Sequence, residues 1–335
     1  MPGERADAER AAERALEFLL DSRFIELELE NSKHLQGGFG WRDFAVVGMQ
    51  SDEWVTAYTA YALAEAGKQQ GYAAAKSAWQ WLVAESRIDR PGLGYNRRTP
   101  QDADSTVWGC RLAAAIGRSS DEWTARALRY LHTCGREDGG IATFADADDL
   151  SHLGSAADGV EGWTTSHECV TAAAACLPEV VNFTDVCGFL ARKQQPEGFW
   201  RPYWWADADY ATAHAIESLS RLNADRRAID RGVAWLSRSP SNHSPFVLAL
   251  RVLGISKAGS YSFKPALREL LDLQLANGSW PASARLRIPP PNLKNPAIIW
   301  NWHEQHDGIG GVVLDRQGVF TTATALRALS SCLTQ

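Results

Sequence analysis

The stretch "DADST", Asp102 to Thr106, sets two carboxylates and two hydroxyls directly ahead of an apolar run that reads as a buried helix. An isolated aspartic acid, with a pKa near ~4, is ionised at neutral pH and has no proton to give. Burial beside a second carboxylate disfavours ionisation and raises one pKa of the pair. On that reading one carboxyl of the pair Asp102 and Asp104 keeps its proton as a general acid. A plainer role also suits these residues, because Asp, Ser and Thr ahead of a helix cap its free N–H groups. Capping alone leaves their clustering unexplained. A second pair, Asp207 and Asp209, opens the helix "YATAHAIESL", and a third cluster, Asp146, Asp148 and Asp149, follows a glycine loop. The last string, "DADD", lies in a polar loop well ahead of the next helix. It reads as an alternative acid cluster, a site for a divalent cation on carboxylate oxygens, or a solvated loop.

The elements that must hold these carboxylates form a repeat: an amphipathic helix, a glycine-plus-aromatic loop, then a helix with little charge in its body. The loops read "LQGGFGW", "RPGLGY", "EDGGIATF", "QQPEGFW" and "QLANGSW". Helices before the loops, such as "DEWTARALRYLHT", are apolar at three- and four-residue spacing and belong outside. Those after the loops, such as "DEWVTAYTAYALAEAG", have no polar face and belong inside. A sixth pair, "RAIDRGVAWLSR" with "SPFVLALRVLGI", lacks the loop signature. Six outer and six inner helices predict an all-α fold, a single (α/α)6 barrel over residues 1–335. All three acidic clusters lie on connections from outer to inner helix, which share one end of such a barrel and predict a carboxylate-lined mouth. Of the 14 tryptophans, Trp54, Trp108, Trp163, Trp204 and Trp205 fall at or beside inner-helix starts. Residues 281–318 break the repeat. Their Trp300, Trp302, His303, His306 and Asp307 suggest a lid over the mouth, with partner contact or plain coil as the alternatives.

Two loops carry one spacing, Gln194-x3-Gly198-x-Trp200 and Gln274-x3-Gly278-x-Trp280. This resembles the QW repeat of squalene-hopene and oxidosqualene cyclases, whose α/α barrel is shared with protein prenyltransferase β-subunits. The resemblance covers nearly the whole chain. It implies that each Gln caps helix-end groups and stacks on its Trp. It also implies that "DADST" stands where class II terpene cyclases carry their Asp-rich motif, with Asp104 at the proton donor, Asp102 as its partner, Thr106 as a hydrogen-bonding orienter and Ser105 replacing the last Asp. The implied activity is protonation-initiated cyclisation of a linear polyprenyl substrate. Aromatic faces, with Trp108 and Trp205 foremost and Trp54, Trp163, Trp204, Asp207, Asp209, Trp300 and Trp302 also lining the site, would hold the cation without quenching it. No cofactor is required on this reading; Mg²⁺ enters only with a diphosphate-bearing substrate. The zinc of the prenyltransferase relatives has no good counterpart. Asp185-x-Cys187 falls on an outer helix, and His167, Cys169 and His214 on neighbouring inner helices read more readily as core than as ligands.

A glycoside hydrolase or lyase remains the main rival, since paired carboxylates in a Trp-lined cleft also suit sugars. A prenyltransferase-like subunit without independent activity is the third reading. An open, solvent-filled groove would favour the rival, and a deep aromatic pocket the cyclase. The net charge of −6 argues against nucleic-acid and anionic-membrane partners, which draw on clustered Lys and Arg. The charged, amphipathic N-terminus and the absence of a long apolar run predict a cytoplasmic protein. The six dispersed cysteines read as reduced, buried small hydrophobes. A homo-oligomer or partner chain over the mouth would supply cover if the lid did not.

Overall fold

The structure, a computed structural model, describes residues 2–26, 38–46, 48–84, 90–148, 150, 159–182, 184–238, 243–299, 301–304 and 308–335. Helices alternate outside and inside along the chain. They are α1 (Pro2–Asp21) outside, α2 (Glu53–Glu65) inside, α3 (Gln69–Leu82) outside, α4 (Ala103–Ala115) inside, α5 (Glu122–Thr133) outside and α6 (Glu168–Ala174) inside. After the single turn α7 (Pro178–Val181) come α8 (Val186–Lys193) outside, α9 (Asp209–Arg221) inside, α10 (Arg226–Arg238) outside, α11 (Pro245–Lys257) inside, α12 (Lys264–Asp272) outside and α13 (Val319–Leu333) inside. The inner helices pack in sequence, α2 on α4, then α6, α9, α11 and α13, and α13 returns to α2. Each outer helix covers the inner helix before it, and α1 covers α13. The (α/α)6 ring is therefore closed, and the pair without a glycine-aromatic loop, α10 and α11, belongs to it.

Composition explains the sorting. Every residue of α2 from Glu53 to Leu63 is buried, as a helix without a polar face requires. In α10 only Ala228, Ile229, Gly232 and Leu236 are buried, a single stripe against the ring. The loops fasten the two layers by one recurring bond. The N–H groups of Trp41, Leu93, Ile141, Trp200 and Trp280 donate to the hydroxyls of Thr56, Thr106, Thr171, Thr212 and Thr322 on the following inner helices. The indoles of Trp41, Trp200 and Trp280 donate to Leu19, Leu190 and Leu270, closing the carbonyl ends of the outer helices. Gln194 Nε2 donates to Gly198 O and Ala228 O, both at 2.8 Å, and so joins α8 to α10. Gln274 Nε2 makes the matching bonds to Gly278 O and Ala11 O at 2.9 Å, joining the last outer helix to the first.

The all-α expectation omits three two-stranded antiparallel sheets among the described residues: β1 (Phe24–Glu26) with β2 (Gly38–Gly40), β3 (Asp43–Val46) with β4 (Met49–Ser51), and β5 (Arg285–Arg287) with β6 (Val312–Leu314). In the last, Leu286 faces Val313 across the ladder. The 281–318 segment, expected as a lid, lies against the barrel by backbone bonds. Trp163 donates from N to Pro291 O and from Nε1 to Pro289 O, Tyr203 Oη donates to Leu293 O, and Arg287 N donates to Trp204 O. Trp300, His306 and Asp307 lie outside the described residues.

Candidate active site

Asp102 is the N-cap of α4. Its Oδ1 accepts from Ser105 N at 2.7 Å and its Oδ2 from Ser105 Oγ at 2.8 Å, so the capping role assigned to this stretch belongs to Asp102. That leaves Asp104, in the first turn, without a capping duty. Its carboxyl is buried and borders a cavity of about 270 Å³, and its Oδ1 has no hydrogen-bond partner among the described residues. Burial, then the charge of Asp102, raises the Asp104 pKa to about 8, with the Trp108 side chain working the other way. Asp102 is itself pushed up to about 6 by burial, against its bonds from Ser105. At neutral pH the pair thus holds one proton, on Asp104.

The remaining wall is apolar and aromatic. Trp54, Tyr95, Phe144, Trp163 and Trp204 form it, while Val46 and Met49 of the β3–β4 hairpin and Leu286, Ile288, Gly308 and Ile309 of the insertion cover it. Among the described lining residues none is Lys, Arg or His. Phe144 stacks on Trp163 with centroids 5.6 Å apart, and Trp163 tilts against Trp204 at 5.5 Å. Rings so arranged present faces that attract a cation. An acid that keeps its proton, opening into a mostly apolar, aromatic cavity, can protonate a carbon base where few polar groups stand ready to quench the resulting cation.

The predicted site residues divide. Asp102, Asp104, Trp54, Trp163 and Trp204 meet around one cavity. Trp108 and Trp205 lie beneath it, fully buried: Trp108 packs edge-on to Tyr58 and His214, and Trp205 stacks on Tyr210 and Phe246. As large residues on or just before inner helices they fill the ring, as inner positions must. Thr106 is the tether of its repeat, bonded to Asp102 O at 2.6 Å and to Leu93, and its hydroxyl points to the loop rather than to the acid. Asp209 pairs with Arg251 Nε at 2.9 Å and Asp207 lies 3.7 Å from Arg285; neither carboxylate lines the cavity. Asp146 and Asp148 are exposed and do not line the cavity; Asp149 lies outside the described residues. Trp302 packs under Arg287 and donates to Pro296 O, away from the cavity.

His167, Cys169 and His214 do not meet at a metal. Both ring nitrogens of His167 are engaged, at 2.8 Å from Thr143 Oγ1 and Gly162 O, Cys169 Sγ accepts from Tyr203 N, and His214 Nδ1 faces Glu217. Among the described residues no group of three or more His, Cys, Asp and Glu is gathered for an ion. Asp185 caps α8 through Gly188 N. The six cysteines are free thiols. Sequence reasoning missed Tyr95, Thr143 and Phe144, although each ends or follows a glycine loop already singled out. It also missed the β3–β4 cover, which has no helical period.

A buried, proton-holding carboxyl in an aromatic chamber at the mouth of a closed α/α ring defines an acid-initiated cyclase site. Structures of type II terpene cyclase MstE from Scytonema match over 100% of this chain and 99% of theirs, with 30% identity and a TM-score of 0.87; that one holds geranylgeranyl dihydroxybenzoate as substrate. Another holds merosterolic acid A as product. The squalene-hopene cyclase of Zymomonas mobilis is 25% identical over 215 residues, 55% of this chain, and the match spans only 33% of that enzyme's length. An α-1,6-mannanase of Salegentibacter shares the fold alone, at 11% identity and a TM-score of 0.57. No protein-family model matches the chain. The chain belongs to the type II terpene cyclase family.

Proposed function

We propose that this protein cyclises a linear polyprenyl chain carried on an aromatic head group, with Asp104 as the general acid and Asp102 as its pKa partner. The observation that carries the reading is the buried Asp104 carboxyl, its Oδ1 without a hydrogen-bond partner among the described residues, at the wall of an apolar cavity. In the first step the carboxyl proton passes to the terminal alkene or epoxide. The π pair, or the epoxide oxygen's lone pair, forms the new bond to hydrogen, and Asp104 is left as carboxylate. The carbocation is then consumed by successive internal alkenes, and loss of one proton ends the cascade, so the enzyme needs one proton back per turnover. Trp54, Phe144, Trp163 and Trp204 face the cation. The whole chain acts as one unit, its own hairpins doing the covering that a partner chain would otherwise supply. The head group is inferred from the MstE substrate, and no cofactor takes part; Mg²⁺ would serve only a diphosphate, for which the described cavity wall offers no cation. Sugars fit less well, because glycosidase subsites need polar walls and this wall is nearly all apolar. No helix among the described residues is long and apolar enough to cross a membrane.

The test is incubation of wild type and Asp104→Asn with geranylgeranyl dihydroxybenzoate, farnesyl and geranylgeranyl diphosphates and squalene, with and without Mg²⁺, followed by mass spectrometry. Cyclised product from wild type that vanishes in Asp104→Asn is expected. Product surviving that substitution would remove Asp104 from the role, and no product from any isoprenoid with folded protein would remove the reading.

A further inference from the structure

Thr143 stands at a junction that the acid-base chemistry does not explain. Its carbonyl accepts from Ala103 N at 2.7 Å, which fixes it to the first turn of α4 beside Asp104. Its hydroxyl lies 2.7 Å from Trp204 Nε1 and 2.8 Å from His167 Nδ1. An indole N–H only donates, so the hydroxyl accepts from Trp204 and its own hydrogen goes to His167 Nδ1. That leaves the imidazole hydrogen on Nε2, where it donates to Gly162 O. Every hydrogen in the chain from Trp204 to Gly162 therefore has one direction. The imidazole is clamped as well, stacked on Tyr203 with centroids 3.8 Å apart, and burial lowers its pKa to about 3, so it stays the neutral acceptor that the chain needs.

We propose that Thr143 and His167 are positioning residues for the cyclisation: their hydrogen-bond chain holds the Trp204 ring, in fixed register with α4, as the wall that receives the carbocation formed at Asp104. Backbone bonds alone set where Trp204 begins, while the indole bond sets which way its face is turned. Without the Thr143 hydroxyl the N–H loses its acceptor in a partly buried place and the ring turns to find another. A turned ring offers its positive edge to the cation in place of its negative face. This inference rests on the proposed function, and its test is built to fail separately.

The probe is a farnesyl dimethylamine, protonated at neutral pH and shaped like a terpenoid cation, titrated beside its uncharged hydrocarbon isostere. Thr143→Val, which keeps the shape and removes the hydroxyl, is expected to weaken ammonium binding about tenfold, as loss of a desolvated cation–π contact does, and to leave hydrocarbon binding unchanged. Thr143→Ser recovers the ammonium affinity. Trp204→Phe removes the donor and gives the same selective loss, and adding Thr143→Val to it costs nothing more. An equal loss for both probes, or none for either, overturns the assignment, and Thr143→Ala, which also removes the hydroxyl, decides the matter should Thr143→Val fail to fold. In turnover of geranylgeranyl dihydroxybenzoate, Thr143→Val is expected to raise the share of early-stopped and water-quenched products with KM little changed. A wild type that leaves this substrate untouched, with the selective ammonium loss still seen in Thr143→Val, would sink the proposed substrate and keep the positioning role.

Discussion

Asp102 and Asp104 are two residues apart and chemically identical, yet one caps a helix and the other holds a proton. The difference is partners: Asp102 accepts two bonds from Ser105, whereas Asp104 Oδ1 accepts none among the described residues. Activity should therefore fall as pH rises through about 8, where Asp104 ionises. Asp102→Asn keeps the capping oxygen and deletes the charge, so the falling limb of the pH–rate profile should move to lower pH. An unmoved midpoint would mean that burial alone sets the acid. Stability runs with the same proton. The unfolded carboxyl ionises near its ordinary 3.8 and the folded one near 8, so the folded state keeps a proton that the unfolded chain releases, and wild-type stability declines as pH climbs between those values. Asp104→Asn has nothing to titrate. It should melt above wild type at pH 8 and converge with it at pH 4, as thermal scans at the two pH values will read. That Asp102 and Asp104 stand together at the start of a buried helix was legible in sequence, but the same letters at Asp207 and Asp209 lead to arginine contacts, so the pattern alone does not mark a cavity. The cavity-lining rings were less legible: Trp108 and Trp205 carry the same letter as Trp163 and Trp204, and only packing separates the ring's filling from the cavity's wall.

Inner and outer helices were legible from burial pattern alone, since a helix without a polar face has one place to go. The loops between them show why glycine recurs. Gly198 has φ +108°, and a Cβ there would stand 2.4 Å from Arg231 O; Gly278 has φ +88°, with Arg14 O at 2.3 Å. Both strain and backbone clash oppose any side chain, so neither position can relax cheaply. The Gln of the same loop acts differently, its amide bridging two outer helices at a partly exposed place. Gln194→Ala should cost about 1–2 kcal/mol, the worth of bonds whose carbonyls can turn to water. Gly198→Ala should cost more, about 3 kcal/mol, since backbone strain adds to displacement of α10. Urea denaturation of both variants orders them; a larger loss for Gln194→Ala would mean the amide, not the turn, holds α8 to α10. The strands escaped the sequence reading because their segments are three or four residues long, too short for a period of two to declare itself.

A single barrel must close its own mouth, and this one uses two carboxylates to do so. Asp43, in β3, accepts from Gln317 N and Val319 N, while Asp315 accepts from Ser283 N, Ala284 N and Thr321 N. Both therefore grip the start of α13, one holding the β3–β4 hairpin and the other the strand that leads to Leu286 and Ile288. The insertion was legible because it breaks the repeat and is rich in aromatics, but its mode of attachment was not, since it depends in large part on backbone N–H and C=O groups that carry no letter. The arrangement makes the cover part of the core rather than a flap, so loosening it should let water reach the cation before the fold is lost. Asp315→Ala takes the acceptor from Thr321 N and leaves Ser283 N and Ala284 N only their longer bonds to Thr321 Oγ1, a loss of about 1–3 kcal/mol that loosens this corner of the barrel. Thermal unfolding should come several degrees earlier, and the fraction of hydroxylated products should rise with temperature well below that transition. If the melting point drops while the product mixture stays that of wild type, the carboxylate serves stability alone and the dryness of the chamber rests on the β3–β4 hairpin.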